Sequence, residues 1–154
     1  MSEPPDTVAR VITRHRHIAI DSNIVIYLLE NDGPGVDRAT EIIDAVEAGA
    51  LAATLATVGL VEVLAGPARI DDGARFEEVA DEIRAIRNLR LAPLVSEIAI
   101  DAAWARGADR MRLADAIHLS TARAVGATAF VTNDRRIRSR PGLEVIYLSD
   151  LVAA

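Results

Sequence analysis

The stretch His17-Ile18-Ala19-Ile20-Asp21-Ser22-Asn23 decides how this chain folds. Its apolar run, residues 18–20, ends abruptly on the carboxylate of Asp21, which is typical of a strand buried on both faces of a parallel sheet. The next residues, 22–30, have the pattern of a short helix. In parallel sheets the ligand site lies beyond the C-terminal ends of the strands, where the strand order reverses. We therefore expect Asp21 to lie at a functional site.

Apolar and amphipathic segments alternate along the rest of the chain. Further strands are predicted at 51–54, 89–94, 129–132 and 143–148, and helices at 36–48, 57–65, 71–88, 96–106 and 112–125. This alternation predicts an α/β fold, a three-layer α/β/α sandwich with a central parallel sheet of four to five strands. The 154 residues have room for one domain, residues 1–154. Residues 1–16 are expected to form an N-terminal extension that is peripheral or partly disordered.

Composition restricts the kinds of site that the chain can carry. It has no cysteine, so a metal must be bound by oxygen or by one of three histidines. All 17 basic residues are arginine, which excludes a P-loop nucleotide hydrolase because that site needs a lysine on the phosphates. The net charge of -6 argues against a protein that coats nucleic acid nonspecifically, but not against an enzyme that binds phosphates through metal ions.

The N-terminal residues 1–6 are polar and lack the apolar core of a signal peptide. The longest nearly uncharged run, residues 48–61, is too short to span a bilayer, which takes about 20 apolar residues. We therefore expect a cytoplasmic protein without a membrane segment.

Two carboxylates directly follow predicted strands. Asp21 follows the first strand, and Asp134 follows the strand at 129–132. Each also has an ordinary structural interpretation, since Asp is a favoured helix N-cap and Asn-Asp is common turn chemistry. Their shared position at strand ends is the first indication of function.

Two further carboxylates lie in predicted helices. The helical neighbours of Glu62 are small and apolar, so we interpret it as a functional acid rather than a solvated one. Asp115 has Arg112 and His118 three residues to either side, so a local ion pair is a fair alternative there. The four acids together would repel one another unless a cation were present, and clustered oxygen ligands are what Mg²⁺ or Mn²⁺ binds.

Several short motifs in combination resemble the PIN-domain ribonucleases, and most closely the VapC-type toxins of bacterial toxin–antitoxin pairs. The motifs are Ile20-Asp21-Ser22-Asn23, Tyr27-Leu28, Glu62 in its helix, Leu113-Ala114-Asp115-Ala116-Ile117-His118-Leu119-Ser120-Thr121-Ala122, Phe130-Val131-Thr132-Asn133-Asp134 and Pro141-Gly142-Leu143-Glu144-Val145. The resemblance extends from residue 18 to residue 151. It implies a PIN-like fold and a Mg²⁺- or Mn²⁺-dependent endoribonuclease, the toxin of a type II system.

The resemblance also implies roles for individual residues. It matches four acidic and two polar supporting positions of the family, namely Asp21, Glu62, Asp115, Asp134, Asn23 and Thr132. Our hypothesis is that Asp21, Asp115 and Asp134 hold the main ion, while Glu62 binds a second ion or orients the attacking water. The two polar residues would fix carboxylate rotamers or contact phosphate. His118 is interpreted as structural or supporting rather than catalytic.

The loop after the fourth acid departs from the family pattern. Many members carry a further Asp where this chain has Arg136, so the number of bound ions, one or two, stays open. Arg135, Arg136 and Arg138 begin immediately after Asp134, and they have two interpretations. They contact the phosphate backbone of a substrate, or they belong to a solvated loop.

The resemblance implies three partners: an RNA substrate, a VapB-like antitoxin whose C-terminal segment blocks the acidic pocket with Arg or Lys, and a second copy in a homodimer. Two other functions stay open. One is a noncatalytic interaction domain that kept the fold, and the other is a metal-dependent DNA nuclease or phosphatase that uses the same pocket. The four acids argue against the first, because a pure binding module has no reason to maintain their repulsion.

Overall fold

The computed structural model of the protein describes residues 2–154, and a five-stranded parallel sheet lies at its centre. The strands are β1 (Asp6–Thr7), β2 (His17–Ile20), β3 (Ala52–Ala56), β4 (Leu89–Ala92), β5 (Ala129–Thr132), β6 (Glu144–Tyr147) and β7 (Leu151–Val152). The helices are α1 (Val8–Arg14), α2 (Ser22–Glu30), α3 (Val36–Glu47), α4 (Thr57–Arg69), α5 (Gly73–Ala85), α6 (Ser96–Asp109) and α7 (Leu113–Ala124), and a 3₁₀ turn (Leu148–Asp150) precedes β7. The predicted α/β fold with a parallel central sheet is confirmed.

The strands of the central sheet have the order β4-β3-β2-β5-β6. The chain adds β3 and β4 on one side of β2, and then β5 and β6 on the other, so the strand order reverses between β2 and β5. Ile18 pairs with Ala129 and Ile20 with Val131, which brings the ends of these two strands side by side. Connections diverge at such a point and leave a crevice above the strand ends, where α/β proteins bind ligands.

The side chains of β2 point alternately into two apolar layers, as its continuous hydrophobicity predicts. Ile18 and Ile20 are fully buried and belong to the larger core together with α2 and α3. Ala19 belongs to a second cluster with Phe130 of β5 and Leu119 of α7. Helices therefore cover both faces of the sheet. No helix within residues 2–154 is both long enough and apolar enough to cross a membrane.

Helix α4 is longer than the sequence predicts. The expected stop at Gly66-Pro67 lies inside the helix, which continues to Arg69. A proline disfavours helical geometry at the preceding residue partly because its ring meets that residue's Cβ, and Gly66 has none. Pro67 has no N–H to donate to the carbonyl of Val63, so the helix loses one hydrogen bond close to its C-terminal end.

The N-terminal segment is part of the folded structure. β1 pairs with β7 in a small parallel sheet, and Val8 and Val11 of α1 are buried in the larger core. Arg14 at the end of α1 bonds to Asp6 at 2.6 Å and to Glu144 of β6 at 2.9 Å. The expectation of a peripheral or partly disordered extension therefore does not hold for residues 6–14.

Arg14→Ala should lower the free energy of unfolding at neutral pH by about 0.5–1 kcal/mol, as for other partly exposed ion pairs. The hydrogen bond from Arg14 lowers the pKa of Glu144 below its ordinary 4.5 and that of Asp6 below 3.8. Because these pKa values are lower in the folded state, the stabilisation is present above about pH 5 and is lost as the pH falls through the folded-state values. Urea unfolding of the wild type and of Arg14→Ala at pH 7 and pH 3 measures the difference in their free energies of unfolding. The difference should shrink at pH 3, and an unchanged difference would exclude ion pairing as its cause.

Candidate functional site

A polar cleft of about 270 Å³ opens at the C-terminal edge of the sheet, above the ends of β2 and β5. It is lined by Asp21, Ser22, Asn23, Glu62, Arg112, Ala114, Asp115, Asp134 and Arg136. The four carboxylates singled out in the sequence therefore line one cleft, although they come from separate segments of the chain. Thr132 lies beneath it and contacts Asp21.

Asp21 is the most enclosed of the four acids, with a side chain only 9% exposed. It occupies the N-cap position of α2, and its Oδ1 accepts a hydrogen bond from the backbone N–H of Ser22 at 2.7 Å. Its Oδ2 accepts from the Thr132 hydroxyl at 2.7 Å and from the Asn23 amide at 3.4 Å. Capping and site chemistry are compatible roles of this carboxylate, which is held in one orientation on the floor of the cleft.

Thr132 connects the ends of the two central strands. Its hydroxyl donates to Asp21, and it accepts from the backbone N–H of Asp134 at 3.0 Å and from the Asn23 amide at 3.4 Å. Because a hydroxyl has one donor and two acceptor sites, all of its hydrogen-bonding capacity is used. Such contacts fix the orientation of a carboxylate, which is the role predicted for Thr132 and Asn23.

Glu62 meets His118 beside Asp21. The His118 Nε2 lies 2.6 Å from Glu62 Oε1 and 3.5 Å from Asp21 Oδ1. An ionised carboxylate can only accept hydrogen bonds. The Nε2 of His118 therefore carries a proton and donates a hydrogen bond to Glu62. This bond is the main cause of the lowered pKa of Glu62, and burial acts in the opposite direction. His118 is itself buried, so it is a rigid partner that orients Glu62.

The surroundings of Glu62 differ from the prediction. Its side chain is 37% exposed and paired with His118, so it is more accessible to solvent than its small, apolar helical neighbours indicate. The small residues around it serve close packing instead. A Cβ on Gly59, one turn before Glu62, would lie 2.5 Å from Leu55 Cδ1 and 3.3 Å from His118 Cε1. Gly59 therefore lets α4 approach α7 closely enough for Glu62 to reach His118.

Asp115 and Asp134 are joined by Arg112. The Arg112 Nη2 lies 2.8 Å from Asp115 Oδ2 and 2.6 Å from Asp134 Oδ2. The local ion pair that the spacing of Arg112 and Asp115 indicates is present, but it extends to a second acid on another segment. His118, on the other side of Asp115 along the helix, turns to Glu62 instead.

Arg136 completes the cationic side of the cleft. Its backbone N–H and its Nε bond to Asp134 Oδ1 at 3.0 and 2.9 Å, and its Nη2 bonds to Oδ2 at 3.0 Å. The side-chain bond from Arg136 holds the pKa of Asp134 far below its usual range, and Arg112 adds to this effect. Asp134 is therefore ionised at neutral pH.

The three arginines predicted to bind substrate have different surroundings. Arg135 turns away from the cleft and pairs with Asp150. Arg136 lines the cleft, and Arg138 lines an adjoining groove of about 320 Å³. The structure therefore brings two of the three close to the acids, but not Arg135.

The donor set of the cleft fits a hard divalent cation. Ligand atoms of Asp21 and Glu62 lie within 4.8 Å of each other and of the His118 ring, whose Nε2 donates to Glu62, so the two carboxylates are the ligands of this group; Asp115 and Asp134 lie outside it. Carboxylate oxygens predominate around the cleft, which favours Mg²⁺ or Mn²⁺ over softer metals. The Oδ1 of Asn23 is buried and has no hydrogen-bond partner among residues 2–154, which leaves it able to accept from a water bound to such an ion.

Two partners of the acids are not predicted from the sequence. His118 lies three residues after Asp115, and this spacing is a signal that both residues share one face of α7. It does not show that His118 meets Glu62, which depends on how α4 packs. The contact between Arg112 and Asp134 joins residues 22 positions apart and has no local signal.

Comparison with known proteins agrees with this fold. A family model described as PIN domain matches residues 18–143. A search of curated proteins found no match.

Several solved structures share the fold. VapBC2 from Rickettsia felis, bound to a DNA fragment from its promoter, has 15% identity and a TM-score of 0.68, over 85% of this chain and 98% of that chain. A toxin–antitoxin complex from Klebsiella pneumoniae has 22% identity and a TM-score of 0.60, over 82% and 94%. VapC20 from Mycobacterium tuberculosis, described as a toxin that cleaves the sarcin–ricin loop, has 15% identity and a TM-score of 0.58, over 73% and 86%.

Proposed function

Because this chain belongs to the PIN-domain family, we propose that it is a Mg²⁺- or Mn²⁺-dependent endoribonuclease and the toxin of a type II toxin–antitoxin pair. The observation that carries the proposal is the cleft in which Asp21, Glu62, Asp115 and Asp134 meet at the reversal of the strand order. The toxin–antitoxin complexes among the structures of the same fold support it, as does the neighbour described as cleaving the sarcin–ricin loop.

Hydrolysis of a phosphodiester needs a nucleophile and a neutralised phosphate. A bound divalent ion supplies both, because it acidifies a water and offsets the charge of the phosphate oxygens. We assign Asp21, Asp115 and Asp134 to holding the ion, and Glu62 to orienting the attacking water, with His118 holding Glu62 in place. The oxygen of the attacking water would bond to phosphorus and lose a proton to solvent, the ester P–O bond would break, and the leaving oxygen would take up a proton from solvent.

The substrate backbone has a cationic path to the cleft. The adjoining groove is lined by five arginines, namely Arg110, Arg112, Arg136, Arg138 and Arg140. Arg110 and Arg138 are exposed and form no ion pair within the part of the chain that the structure describes. Guanidinium groups without a carboxylate partner are the ones available to phosphates, so we assign these two to RNA binding.

Arg138→Ala should weaken RNA binding and reduce its salt dependence by about 0.7–1 unit in the slope of log K against log salt, which is the loss of one phosphate contact. Arg135→Ala is the matched control from the same loop, because Arg135 already pairs with Asp150. Fluorescence anisotropy of an RNA oligonucleotide in EDTA, at several salt concentrations, measures the affinity and its salt dependence for the wild type and the two variants. If all three proteins have the same slope, the loop is only solvated.

The nuclease itself is tested with a panel of substrates. We expect the purified protein to cleave RNA in Mg²⁺ or Mn²⁺, to stop in EDTA, and to leave single-stranded DNA, double-stranded DNA and an aryl phosphate intact. Cleavage of DNA or of the aryl phosphate in preference to RNA would favour the alternative metal-dependent enzymes. Intact substrates throughout, with metal present, would favour the noncatalytic interaction domain.

The proposed antitoxin has a candidate site beside the cleft. A groove of about 450 Å³ between α2, α4 and α5 is lined in part by Ile26, Leu29, Val63 and Val79, and it shares Glu62 with the cleft. An amphipathic segment that lies in this groove would bring an adjacent arginine or lysine to the acids. This supports inhibition by the C-terminal segment of a VapB-like antitoxin.

The toxin is tested by growth of the cells that express it. Expression should arrest growth, and co-expression of the neighbouring gene should relieve the arrest. Normal growth on expression would count against the assignment as a toxin.

The homodimer is part of the same proposal. Ile100 and Trp104 lie one turn apart on α6 and are 72% and 77% exposed, which supports a buried apolar contact in an assembly. Sedimentation of the purified protein measures its oligomeric state, and a monomer at all concentrations would contradict the dimer.

A further inference from the structure

The acids of the cleft fall into two pairs with different partners. Asp21 and Glu62 are held by the Thr132 hydroxyl, the Ser22 N–H and the His118 ring, and neither acid bonds to a guanidinium group. Asp115 and Asp134, by contrast, are held by guanidinium groups. Arginine therefore pairs with the acids in only one half of the cleft, among the residues that the structure describes.

The guanidinium groups of Arg112 and Arg136 bond to most of the carboxylate oxygens of Asp115 and Asp134. Arg112 donates from Nε and Nη2 to Asp115 Oδ2 at 3.0 and 2.8 Å, and from the same Nη2 to Asp134 Oδ2 at 2.6 Å. Arg136 takes both oxygens of Asp134. An ion bound by Asp115 and Asp134 would therefore approach oxygens to which Arg112 already donates.

Positive charge of the chain already surrounds the second pair of acids. Two guanidiniums line the cleft beside the four carboxylates, and both of them bond to Asp134. A divalent ion that approaches Asp115 and Asp134 therefore meets the positive charge of Arg112. Close positive charges oppose each other when both are near the same acids.

Arg112 is free to leave the acids. Its side chain is 52% exposed, and within residues 2–154 its only hydrogen-bond acceptors are Asp115 and Asp134. It stands at the N-cap position of α7, where its long side chain reaches solvent without any change in the helix. Solvent reaches the guanidinium and screens its ion pairs in part, although the two acids themselves are mostly buried.

We propose that Arg112 is a built-in counter-cation that holds Asp115 and Asp134 together in the absence of metal and gives them up when a divalent ion binds. This inference rests on the proposed metal-dependent function and adds a regulatory step to the same site. Because Arg112 lines both the cleft and the groove of arginines, its released guanidinium has substrate phosphate as an alternative partner. Metal binding is then an exchange of cations on the two acids.

The test is the affinity for Mn²⁺ alone, measured by electron paramagnetic resonance of the free ion. Arg112→Gln removes the competing charge and should tighten Mn²⁺ binding about fivefold to tenfold, the range for one weak, exposed ion pair together with the loss of a repelling charge. Arg110→Gln is the matched control, because it removes a charge from the adjoining groove without touching an acid, and it should change the affinity less than about twofold. Thermal unfolding verifies that both variants fold.

The outcomes separate this inference from the proposed function. Equal or weaker Mn²⁺ binding by Arg112→Gln, while the wild type binds Mn²⁺ and Asp21→Asn does not, overturns the counter-cation and leaves the metal site intact. An equal gain in Arg110→Gln also overturns it, because the effect is then general. No Mn²⁺ binding by the wild type, or undiminished binding by Asp21→Asn, overturns both proposals.

A second measurement follows the arginine itself. The Nε–H of Arg112 is bonded to Asp115, and its resonance in a ¹⁵N-correlated spectrum should shift or broaden as Mg²⁺ is added to protein treated with EDTA and then freed of it. The Nε–H of Arg14, which is bonded to Glu144 far from the cleft, is the internal control and should not change. An Arg112 signal that stays constant up to saturating Mg²⁺ would overturn the exchange.

Discussion

Asp21→Asn is expected to abolish metal-dependent RNA cleavage, with a loss of at least about a thousandfold. Asp21 lies at the reversal of the strand order and is the most enclosed acid of the cleft. Asn has the same shape, and its carbonyl oxygen still accepts from the backbone N–H of Ser22, so the helix cap is kept. The change removes a negative charge and an ion ligand from the cleft. It also places an NH₂ group opposite the Thr132 hydroxyl and the Asn23 amide, so we expect a lower thermal midpoint as well.

The measurement is the rate of RNA cleavage at saturating Mn²⁺, together with Mn²⁺ affinity and the thermal midpoint. Asp101→Asn is the matched control, since Asp101 lies on α6, is 44% exposed and has only a distant partner in Arg123. The control should keep the wild-type rate. Full activity of Asp21→Asn would contradict the assignment of this residue as a metal ligand.

His118→Ala is expected to reduce both stability and activity. The ring is 2% exposed and packs against Phe130, with 5.7 Å between ring centroids. Its loss leaves a cavity that should lower the free energy of unfolding by about 2–3 kcal/mol. It also removes the donor that holds Glu62, and loss of a residue that orients a site acid typically costs about 10–100-fold in activity or metal affinity.

His118→Gln separates these two effects. The amide of Gln reaches about as far as the imidazole Nε2 and can still donate to Glu62, but it cannot fill the space beside Phe130. We expect cleavage to recover toward the wild-type rate while stability remains reduced. Urea unfolding measures the stability, and RNA cleavage rates measure the activity, of the wild type, His118→Ala and His118→Gln. If the Gln variant is as inactive as the Ala variant, His118 acts through packing and not through Glu62.

The parts of the molecule that depend on local pattern were predictable from the sequence. The apolar run that ends at Asp21 predicts a buried strand, and the similar run before Asp134 predicts a second one. Both strands are present, and they end side by side. Since the rule for strand ends concerns the backbone, it also locates the cleft between them.

The parts that depend on packing between distant segments were not predictable. The exposure of Glu62 is set by the path of α4 along the rim of the cleft, and its pairing is set by a histidine 56 positions away. Arg112 could be paired with Asp115 from its spacing, but its bond to Asp134 follows from the position of the loop after β5. The length of α4 was mispredicted because the usual effect of proline is weak after glycine at residue 66.

The bond between Thr132 and Asp21 spans 111 positions of the chain, and this has a consequence for synthesis. A ribosome makes β2, β3 and β4 well before it makes β5, so the early part of the chain carries Asp21 and Glu62 but neither Thr132 nor Asp134. Until β5 pairs with β2, the cleft lacks one wall. If the protein cuts RNA as proposed, we expect the growing chain to be inactive until β5 has emerged.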